Sequence, residues 1–280
     1  MNRKLRNYSP IFLGPTLIAF TAVFIVPFII GLYLSLCKFT TVDNAVFVGI
    51  ENYKAAFTDK NFLNALWFTV KFTVVSVITV NVIAFFLALL LTRGMRGSNL
   101  FRTVFFMPNL IGGIVLGYIW NLILNGVLGA FGVDITYSAS YGFWGLVILM
   151  NWQMIGYMMV IYIAGIQSIP GSLIEAANID GASGCQTLRS IIMPMIMPSV
   201  TICTFLTLSN SFKLFDQNLA LTNGAPNRET TMMALDIYNT FYGSVGQQGA
   251  GQAKAVIFAV IVALIAWLQL KITRSKEEQI

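Results

Sequence analysis

Residues able to do chemistry are scarce in this 280-residue sequence, and those present form no recognisable catalytic set. Histidine is absent, which removes the commonest general base and the commonest metal ligand. The three cysteines, Cys37, Cys185 and Cys203, are scattered through or beside apolar stretches and have the spacing of neither a disulfide framework nor a metal site. No acid pair and no nucleophile–base pair stands out. The sequence therefore argues against an enzyme.

Two ionisable residues, Lys213 and Asp216, lie within an apolar stretch, where a charge is costly and often functional. Their spacing of three residues predicts that both lie on one face of a helix. They are equally well explained as a structural pair or as contacts to a bound solute. Other polar residues in apolar stretches could form hydrogen bonds to a hydroxylated ligand: Asn151, Gln153, Tyr157, Asn210 and Ser211.

The elements that position these residues are predicted to be membrane-spanning helices. The sequence is 57% hydrophobic and 10% charged, with a mean hydropathy of +0.76, whereas soluble domains carry about 25% charged residues. Lipid must therefore be part of its solvent. We expect an all-α integral membrane protein with six transmembrane helices, at about 11–37, 66–92, 103–125, 141–167, 197–221 and 253–272. The first segment is too long for a cleaved signal peptide, and Pro108 and Gly112 interrupt the third.

The distribution of basic residues predicts that both termini are cytoplasmic. With that orientation ten basic residues are inside: Arg3, Lys4, Arg6, Arg93, Arg96, Arg102, Arg189, Lys271, Arg274 and Lys276. Five are outside: Lys38, Lys54, Lys60, Arg228 and Lys254. No basic run or basic–aromatic stripe accompanies the net charge of +6, so we do not expect a nucleic-acid partner. The loop between the fourth and fifth segments is then cytoplasmic.

That loop, residues 168–198, predicts a compact pair of short helices. Ser172 and Glu175 have the spacing of a capping box, so a helix is expected from Leu173 to about Asp180. Gly181 is well placed to end it, and a second short helix would run to Pro194. From these residues alone, an interfacial element that only connects two spans remains an alternative.

The loop resembles the EAA loop of binding-protein-dependent ABC permeases. The resemblance rests on Glu175-Ala176-Ala177, Asp180-Gly181-Ala182, Gln186, Ile191 and Pro194. It implies the type I ABC importer fold and a docking surface for an ATPase subunit. By the same resemblance Glu175 is the polar contact to the ATPase, Ala176 and Ala177 allow close approach, and Gly181 provides the bend. Asp180 belongs to the same docking set, and Leu188 occupies the position of a common aromatic residue.

Segments elsewhere resemble the maltose-type carbohydrate permeases, and in particular the first of their two permease subunits. These segments are Gly14-Pro15, Gly49-Ile50-Glu51-Asn52-Tyr53, Met107-Pro108-Asn109 and Thr222-Asn223-Gly224-Ala225-Pro226. We expect residues 1–65 to form the N-terminal tail, first helix and outer loop, and residues 66–272 to form the permease core. Residues 273–280 would be a cytoplasmic tail.

The resemblance implies a set of partners and a cargo. The partners are a second homologous permease subunit, two ABC ATPase subunits that bind ATP and Mg²⁺, and an extracellular or periplasmic solute-binding protein. The cargo is a sugar, carried across a bacterial or archaeal cytoplasmic membrane. This sequence has no Gly-Lys pair and hence no P-loop of its own. The solute-contact positions of the maltose permease fall on Gln153, Tyr157, Asn210, Ser211 and Asp216, although only Tyr157 is a direct match in residue type.

Two alternatives stay open at this point. One is an ABC permease for a non-sugar solute such as a glycerol phosphate ester, for which more cationic residues in the spans would be expected than Lys213 alone. The other is an ion-coupled secondary transporter that uses Lys213 and Asp216 as its relay.

Overall fold

The computed structural model describes residues 13–243 and 245–277, with side chains described as far as residue 273. The predicted cytoplasmic charges Arg3, Lys4 and Arg6 lie outside the described residues, as do the side chains of Arg274 and Lys276. The described chain is almost entirely helical and divides into two compact units. One unit runs to Phe62 and includes Ile237–Ala259; the other comprises Leu63–Asp236 and the chain from Val260 onward.

The first unit begins with helix α1, Leu13–Leu34, which contains a π-helical turn at Thr21–Ile25. No charged residue interrupts α1, and its apolar side chains other than Leu34 are exposed or half-buried, as expected of a helix whose solvent is lipid. A two-stranded antiparallel hairpin follows, with β1 at Cys37–Lys38 and β2 at Val46–Phe47, and then α2 at Glu51–Thr58.

The following spans build the core of the second unit. Helix α3 is Lys60–Thr92 and helix α4 is Ser98–Phe106, which continues as a 3₁₀ turn at Met107–Leu110. Helix α5 is Gly113–Gly129 and helix α6 is Ala139–Gln167. Helix α6 is the most deeply buried span, since Leu146, Leu149 and Met158 are fully covered by neighbouring helices. An apolar helix buried on most of its surface lies at the centre of a bundle.

Six further helices complete the part of the chain that the structure describes. Two short ones, α7 at Gly171–Ile179 and α8 at Gly184–Met195, connect α6 to α9 at Met197–Phe212. Then come α10 at Asp216–Leu221, α11 at Met233–Gly243 and α12 at Gln248–Glu277.

The predicted all-α membrane fold is confirmed. Four described helices are long and apolar enough to cross a membrane by themselves: α1, α3, α6 and α12. Two bent pairs complete six spans when each pair is counted as one. The first pair joins Ser98–Leu110 to α5 through a bend of 103°, at the Pro and Gly residues that interrupt the third predicted segment. The second joins α8 to α9 through a bend of 70°.

The predicted fifth segment, 197–221, is wrong at its end, because α9 stops at Phe212. The backbone N–H of Leu214 bonds to the carbonyl of Ser211, so the regular i→i−4 ladder lapses there. A separate helix, α10, starts at Asp216, whose acidic side chain suits a helix N-terminus. Lys213 and Asp216 therefore do not lie on one face of one helix, as their spacing had predicted.

Candidate coupling segment and solute cavity

The connection between the fourth and fifth spans is a helix–turn–helix with defined ends. Helix α7 starts at Gly171, and its N-cap is Pro170, which has a ψ of 127° and no side-chain capping bond. The predicted capping box of Ser172 and Glu175 is therefore wrong. An N-cap needs a non-helical backbone, and here that conformation falls two residues earlier, where the proline ring restricts the backbone.

Gly181 ends α7, as predicted. Its φ is +72°, in the left-handed region that glycine tolerates best. The N–H of Ala182 bonds to the carbonyl of Ala177 at 2.9 Å, and the N–H of Gly181 bonds to that of Asn178 at 3.2 Å. These two bonds form a Schellman motif, which satisfies carbonyls that the helix end would otherwise leave unpaired.

A capping box begins the second short helix instead of the first. The N–H of Gln186 donates to Ser183 Oγ at 3.4 Å, and the N–H of Ser183 donates to Gln186 Oε1 at 2.7 Å. Helix α8 then contains a π-helical stretch at Leu188–Ile192 and runs one residue beyond the predicted end at Pro194. Both ends of the turn are thus fixed by hydrogen bonds, so α7 and α8 form a defined projection.

Most of the predicted coupling residues lie on the surface of this projection. Glu175, Ala176, Asp180 and Gly181 are exposed. Ala177 is buried, with 7% of its surface exposed, and Leu188 is half-buried. The most prominent apolar side chain is Ile179, which is 86% exposed and lies one turn after Glu175 and Ala176 on the same helical face. Ile179 was missed, although an isoleucine at that spacing after the Glu-Ala pair was visible in the sequence.

A polar cavity of about 380 Å³, the central cavity, lies in the second unit. It lies where the break before α5 and the break between α9 and α10 meet α6. Gln153 and Tyr157 reach it from α6, and Asn210 reaches it from the end of α9. Its other lining residues are Asn109, Met150, Met154, Lys213, Leu214 and Gln217. The side-chain N–H of Gln217 donates to Gln153 Oε1 at 2.9 Å, which ties α10 to α6 across the cavity wall.

Glycines place α10 at this cavity. A Cβ at Gly113 would come within 2.7 Å of Asp216 Cβ, and one at Gly117 within 2.7 Å of Ala220 Cβ. Small residues four apart let two helices approach closely in a membrane. Because α10 can pack directly on α5, its N-terminal residues are held beside the break at which α9 ends.

The predicted solute residues are only partly brought together. Gln153, Tyr157 and Asn210 share the cavity. Ser211 is fully buried, its hydroxyl forms no protein hydrogen bond, and it does not line the cavity. Asp216 is exposed, lies against Gly113 and does not line the cavity, whereas Lys213 does.

Two lining residues, Asn109 and Gln217, were missed. Each is polar and lies directly beside a helix break, Asn109 after Pro108 and Gln217 within the first turn of α10. Non-helical backbone at membrane depth is tolerated only against protein or a water-filled cavity. A polar residue next to an interruption of an apolar span was therefore the usable signal.

The described chain has apolar spans, two of which are broken beside a polar cavity, and a capped helical projection between two spans. This combination defines a membrane permease. Residues 80–277 match the family described as the inner membrane component of binding-protein-dependent transport systems, and the chain belongs to that family. It is therefore a multi-pass transport subunit of an ABC importer and not an enzyme.

Similar proteins agree with this assignment. The chain is 46% identical to the probable starch degradation products transport system permease protein AmyD of Thermoanaerobacterium thermosulfurigenes, over 95% of this chain and 94% of that protein. It is 31% identical to the multiple sugar-binding transport system permease protein MsmF of Streptococcus mutans, over 98% and 99% of the two chains. A bacterial ABC transporter involved in alginate import has a chain of the same fold, with a TM-score of 0.81, 19% identity, and coverage of 98% and 99%.

Proposed function

We propose that this permease carries a sugar or oligosaccharide into the cell by ATP-driven alternating access. It works with a second homologous permease, two ABC ATPase subunits and an external solute-binding protein. The observation that carries the proposal is the similarity, over nearly the whole chain, to permeases named for starch degradation products and for multiple sugars.

The chemistry of the central cavity supports a hydroxylated solute. Three amide side chains and one phenol line it, at Asn109, Gln153, Asn210 and Tyr157, with a fourth amide at Gln217. Amides and phenols both donate and accept hydrogen bonds, which matches the hydroxyl groups of a sugar. Met150 and Met154 add apolar surface that can adapt to a sugar ring.

A phosphate ester of a polyol is the second candidate, because Lys213 lines the same cavity. One lysine gives a single positive charge, whereas recognition of a phosphate group commonly uses several charge-assisted hydrogen bonds. The ion-coupled alternative is not supported, since Asp216 does not line the cavity with Lys213.

The α7–α8 projection is the proposed ATPase contact. Of the proposed coupling residues, Glu175, Ala176, Asp180 and Gly181 are exposed, Leu188 is half-buried and Ala177 is buried. Ile179 is a further proposed contact, since an apolar side chain that is 86% exposed at the tip of a polar projection can fill a pocket on a partner.

The proposed orientation keeps both termini and the projection in the cytoplasm. Lys254 was counted among the five outer basic residues, but it is 3% exposed and ion-paired to Asp59. Because its charge is neutralised, the excess of basic residues on the inside is larger than ten to five. The proposed organisation retains residues 1–65 as tail, first helix and outer loop, residues 66–272 as permease core, and residues 273–280 as a cytoplasmic tail.

Uptake by the reconstituted complex tests the proposal. Both permeases, the ATPase and the binding protein would be assembled in liposomes and supplied with radiolabelled maltotriose. We expect uptake that requires ATP and the binding protein and that excess glycerol 3-phosphate does not inhibit. Uptake that survives ATP depletion but stops with an uncoupler would reject the ATP-driven mechanism, and inhibition by glycerol 3-phosphate would favour the phosphate ester.

A matched glycine pair tests the coupling role. A Cβ at Gly181 or Gly184 would meet nothing within 4 Å, but only Gly181 has a positive φ. Gly181→Val should therefore distort the turn and abolish uptake while leaving ATP hydrolysis, whereas Gly184→Val should retain most uptake. Normal uptake by Gly181→Val would count against the proposed role of the turn.

A further inference from the structure

A second cavity, of about 450 Å³, lies in the same unit at the other end of α6 from the α7–α8 projection. Trp67 and Lys71 reach it from α3, and Ser140 and Phe143 from the first turns of α6. The remaining lining residues are Asn64, Phe68, Ala139 and Glu229. None of these residues lines the central cavity.

The position of Lys71 places this cavity at the outer membrane interface. Lys71 precedes Thr92, the last residue of α3, by 21 positions. At about 1.5 Å per residue this separation is about 31 Å, close to the thickness of the hydrocarbon core. In the orientation proposed above, the chain that follows Thr92 is cytoplasmic, so Lys71 lies at the outer interface.

The outer and central cavities lie along one face of α6. Phe143 lines the outer cavity, whereas Met150, seven residues later, and Tyr157, seven residues after that, line the central one. Residues seven apart share nearly the same helical face and are about 10 Å apart along the axis. Beside the outer cavity the ring of Phe143 meets those of Phe68 and Phe72 edge-on, with centroids 5.7 and 6.4 Å away. Phe68 and Phe143, two members of this aromatic cluster, thus line the outer cavity.

The lining of the outer cavity favours a neutral, hydroxylated ligand. Trp67 is 63% exposed, and the Lys71 ammonium lies 5.8 Å from the centroid of its ring. Lys71 and Glu229 contribute opposite charges without forming an ion pair with each other, so the formal charges of the lining cancel. A broad aromatic surface beside an amide, a hydroxyl and a carboxylate can stack on a sugar ring and bind its hydroxyl groups.

Glu229 is held in place by the loop that carries it. Its N–H bonds to the carbonyl of Pro226 at 2.8 Å, and the hydroxyl of the next residue, Thr230, bonds to the carbonyl of Ala225 at 2.7 Å. Buried Asn218 donates to the carbonyl of Thr230 and accepts from the N–H of Met232. The carboxylate is therefore presented from an ordered segment.

From this arrangement we infer a second saccharide subsite at the outer mouth, centred on Trp67 and Glu229, that holds sugar released by the binding protein before it enters the central cavity. This inference rests on the proposed function and deepens it. A sugar that is not held at the mouth escapes outward while ATP is still hydrolysed. The subsite should therefore raise the number of sugars imported for each ATP hydrolysed.

The test measures that ratio in the reconstituted complex with maltotriose as the probe. We expect Trp67→Ala to lower maltotriose imported per ATP by about threefold to tenfold, and Trp67→Phe to lower it less. Trp267→Ala is a matched control, because Trp267 is 56% exposed and pairs with Lys271 at 5.2 Å on the last span, outside both cavities. Its ratio should equal that of the wild type.

A labelling experiment adds a readout that does not depend on transport. In a Cys185→Ser background, maltotriose should slow the reaction of Ser140→Cys with a membrane-impermeant maleimide. It should leave Tyr137→Cys unaffected, since Tyr137 is exposed nearby but does not line the cavity.

The outcomes separate the two proposals. Wild-type complex that imports no saccharide from a panel overturns the proposed function and the subsite with it. Wild-type import with an unchanged Trp67→Ala ratio overturns the subsite alone. An unchanged ratio with a higher binding-protein requirement also overturns it and makes Trp67 a docking contact. If the loss of import in Trp67→Ala changes with the lipid composition of the vesicles, and not with the maltotriose concentration, Trp67 is a membrane anchor. That result also overturns the subsite.

Discussion

Lys254 and Asp59 form an ion pair that is almost closed to solvent on the lysine side. The ammonium Nζ lies 2.7 Å from Asp59 Oδ2, and the lysine and aspartate side chains are 3% and 33% exposed. The same ammonium donates to Thr240 Oγ1 at 2.8 Å and lies 5.3 Å from the centroid of the Phe62 ring. A cation this buried depends on its partners for the interactions that water would otherwise supply.

Replacing Asp59 alone should therefore lower the free energy of unfolding more than replacing both Asp59 and Lys254. Breaking a buried pair leaves an uncompensated charge, and we expect Asp59→Ala to lower the free energy of unfolding by about 3 kcal/mol. The double variant Asp59→Ala/Lys254→Met should recover part of that loss. Thermal unfolding in detergent measures both, with exposed Glu51→Ala as control. Equal melting temperatures for the single and double variants would contradict this account.

The pair should also make stability depend on acidity. Burial alone would raise the pKa of Asp59, but hydrogen bonds from Lys254 and from the backbone of Asn61 and Phe62, together with the lysine charge, hold that pKa below the usual range of an aspartate. A lowered pKa stabilises the fold above the unfolded value, and that contribution is lost as pH falls through the folded pKa. When the pH is lowered from about 6 to about 3, the melting temperature of the wild type should fall further than that of Asp59→Asn. Parallel losses would exclude Asp59 as the cause.

Gly156 should not tolerate a side chain. A Cβ there would overlap the backbone carbonyl of Phe105, where α4 crosses α6. Since backbone cannot move aside as a flexible side chain can, Gly156→Ala should destabilise by about 3 kcal/mol. Gly126→Ala is the control, because a Cβ at that helical position meets nothing within 4 Å. Melting curves of the two variants should differ clearly, and similar curves would show that α4 can shift.

Ile179 should contribute to the affinity for the ATPase. Ile179→Ser removes an exposed apolar side chain without touching the fold, so we expect ATPase binding to weaken by about tenfold at unchanged melting temperature. Val245→Ser, at a residue that is 90% exposed and distant in sequence from the projection, should leave binding unchanged. Titration of the purified permease pair with ATPase measures both. Unaltered binding by Ile179→Ser would remove Ile179 from the contact.

The bond between Gln217 and Gln153 should matter for solute recognition. Gln217→Ala leaves Gln153 Oε1 without its donor and enlarges the cavity. Maltotriose uptake should therefore fall several-fold, while the rate of ATP hydrolysis stimulated by the binding protein should stay normal. Gln217→Glu keeps the size but reverses the hydrogen-bonding character and should also fail. Gln269→Ala changes an amide on the last span outside the cavity and serves as control. Full uptake by both Gln217 variants would place recognition elsewhere.

Composition and local pattern alone determined that this is a helical membrane protein and where most of its spans lie. They also located the projection and the glycine that ends its first helix. These properties follow from neighbouring residues, since span length and a left-handed glycine need no partner from elsewhere in the chain. The specific family came from a multi-position motif, and the similarity of whole chains then established it.

Only the tertiary structure decided which polar residues meet. Spacing suggested that Lys213 and Asp216 share a face, but α9 ends between them because α10 can dock on the glycines of α5, some 100 residues away in sequence. The same long-range packing brings Asn109 and Gln217 to the cavity and excludes Ser211. A helix break is stable only when distant residues cover the freed backbone groups, and local sequence does not contain that information.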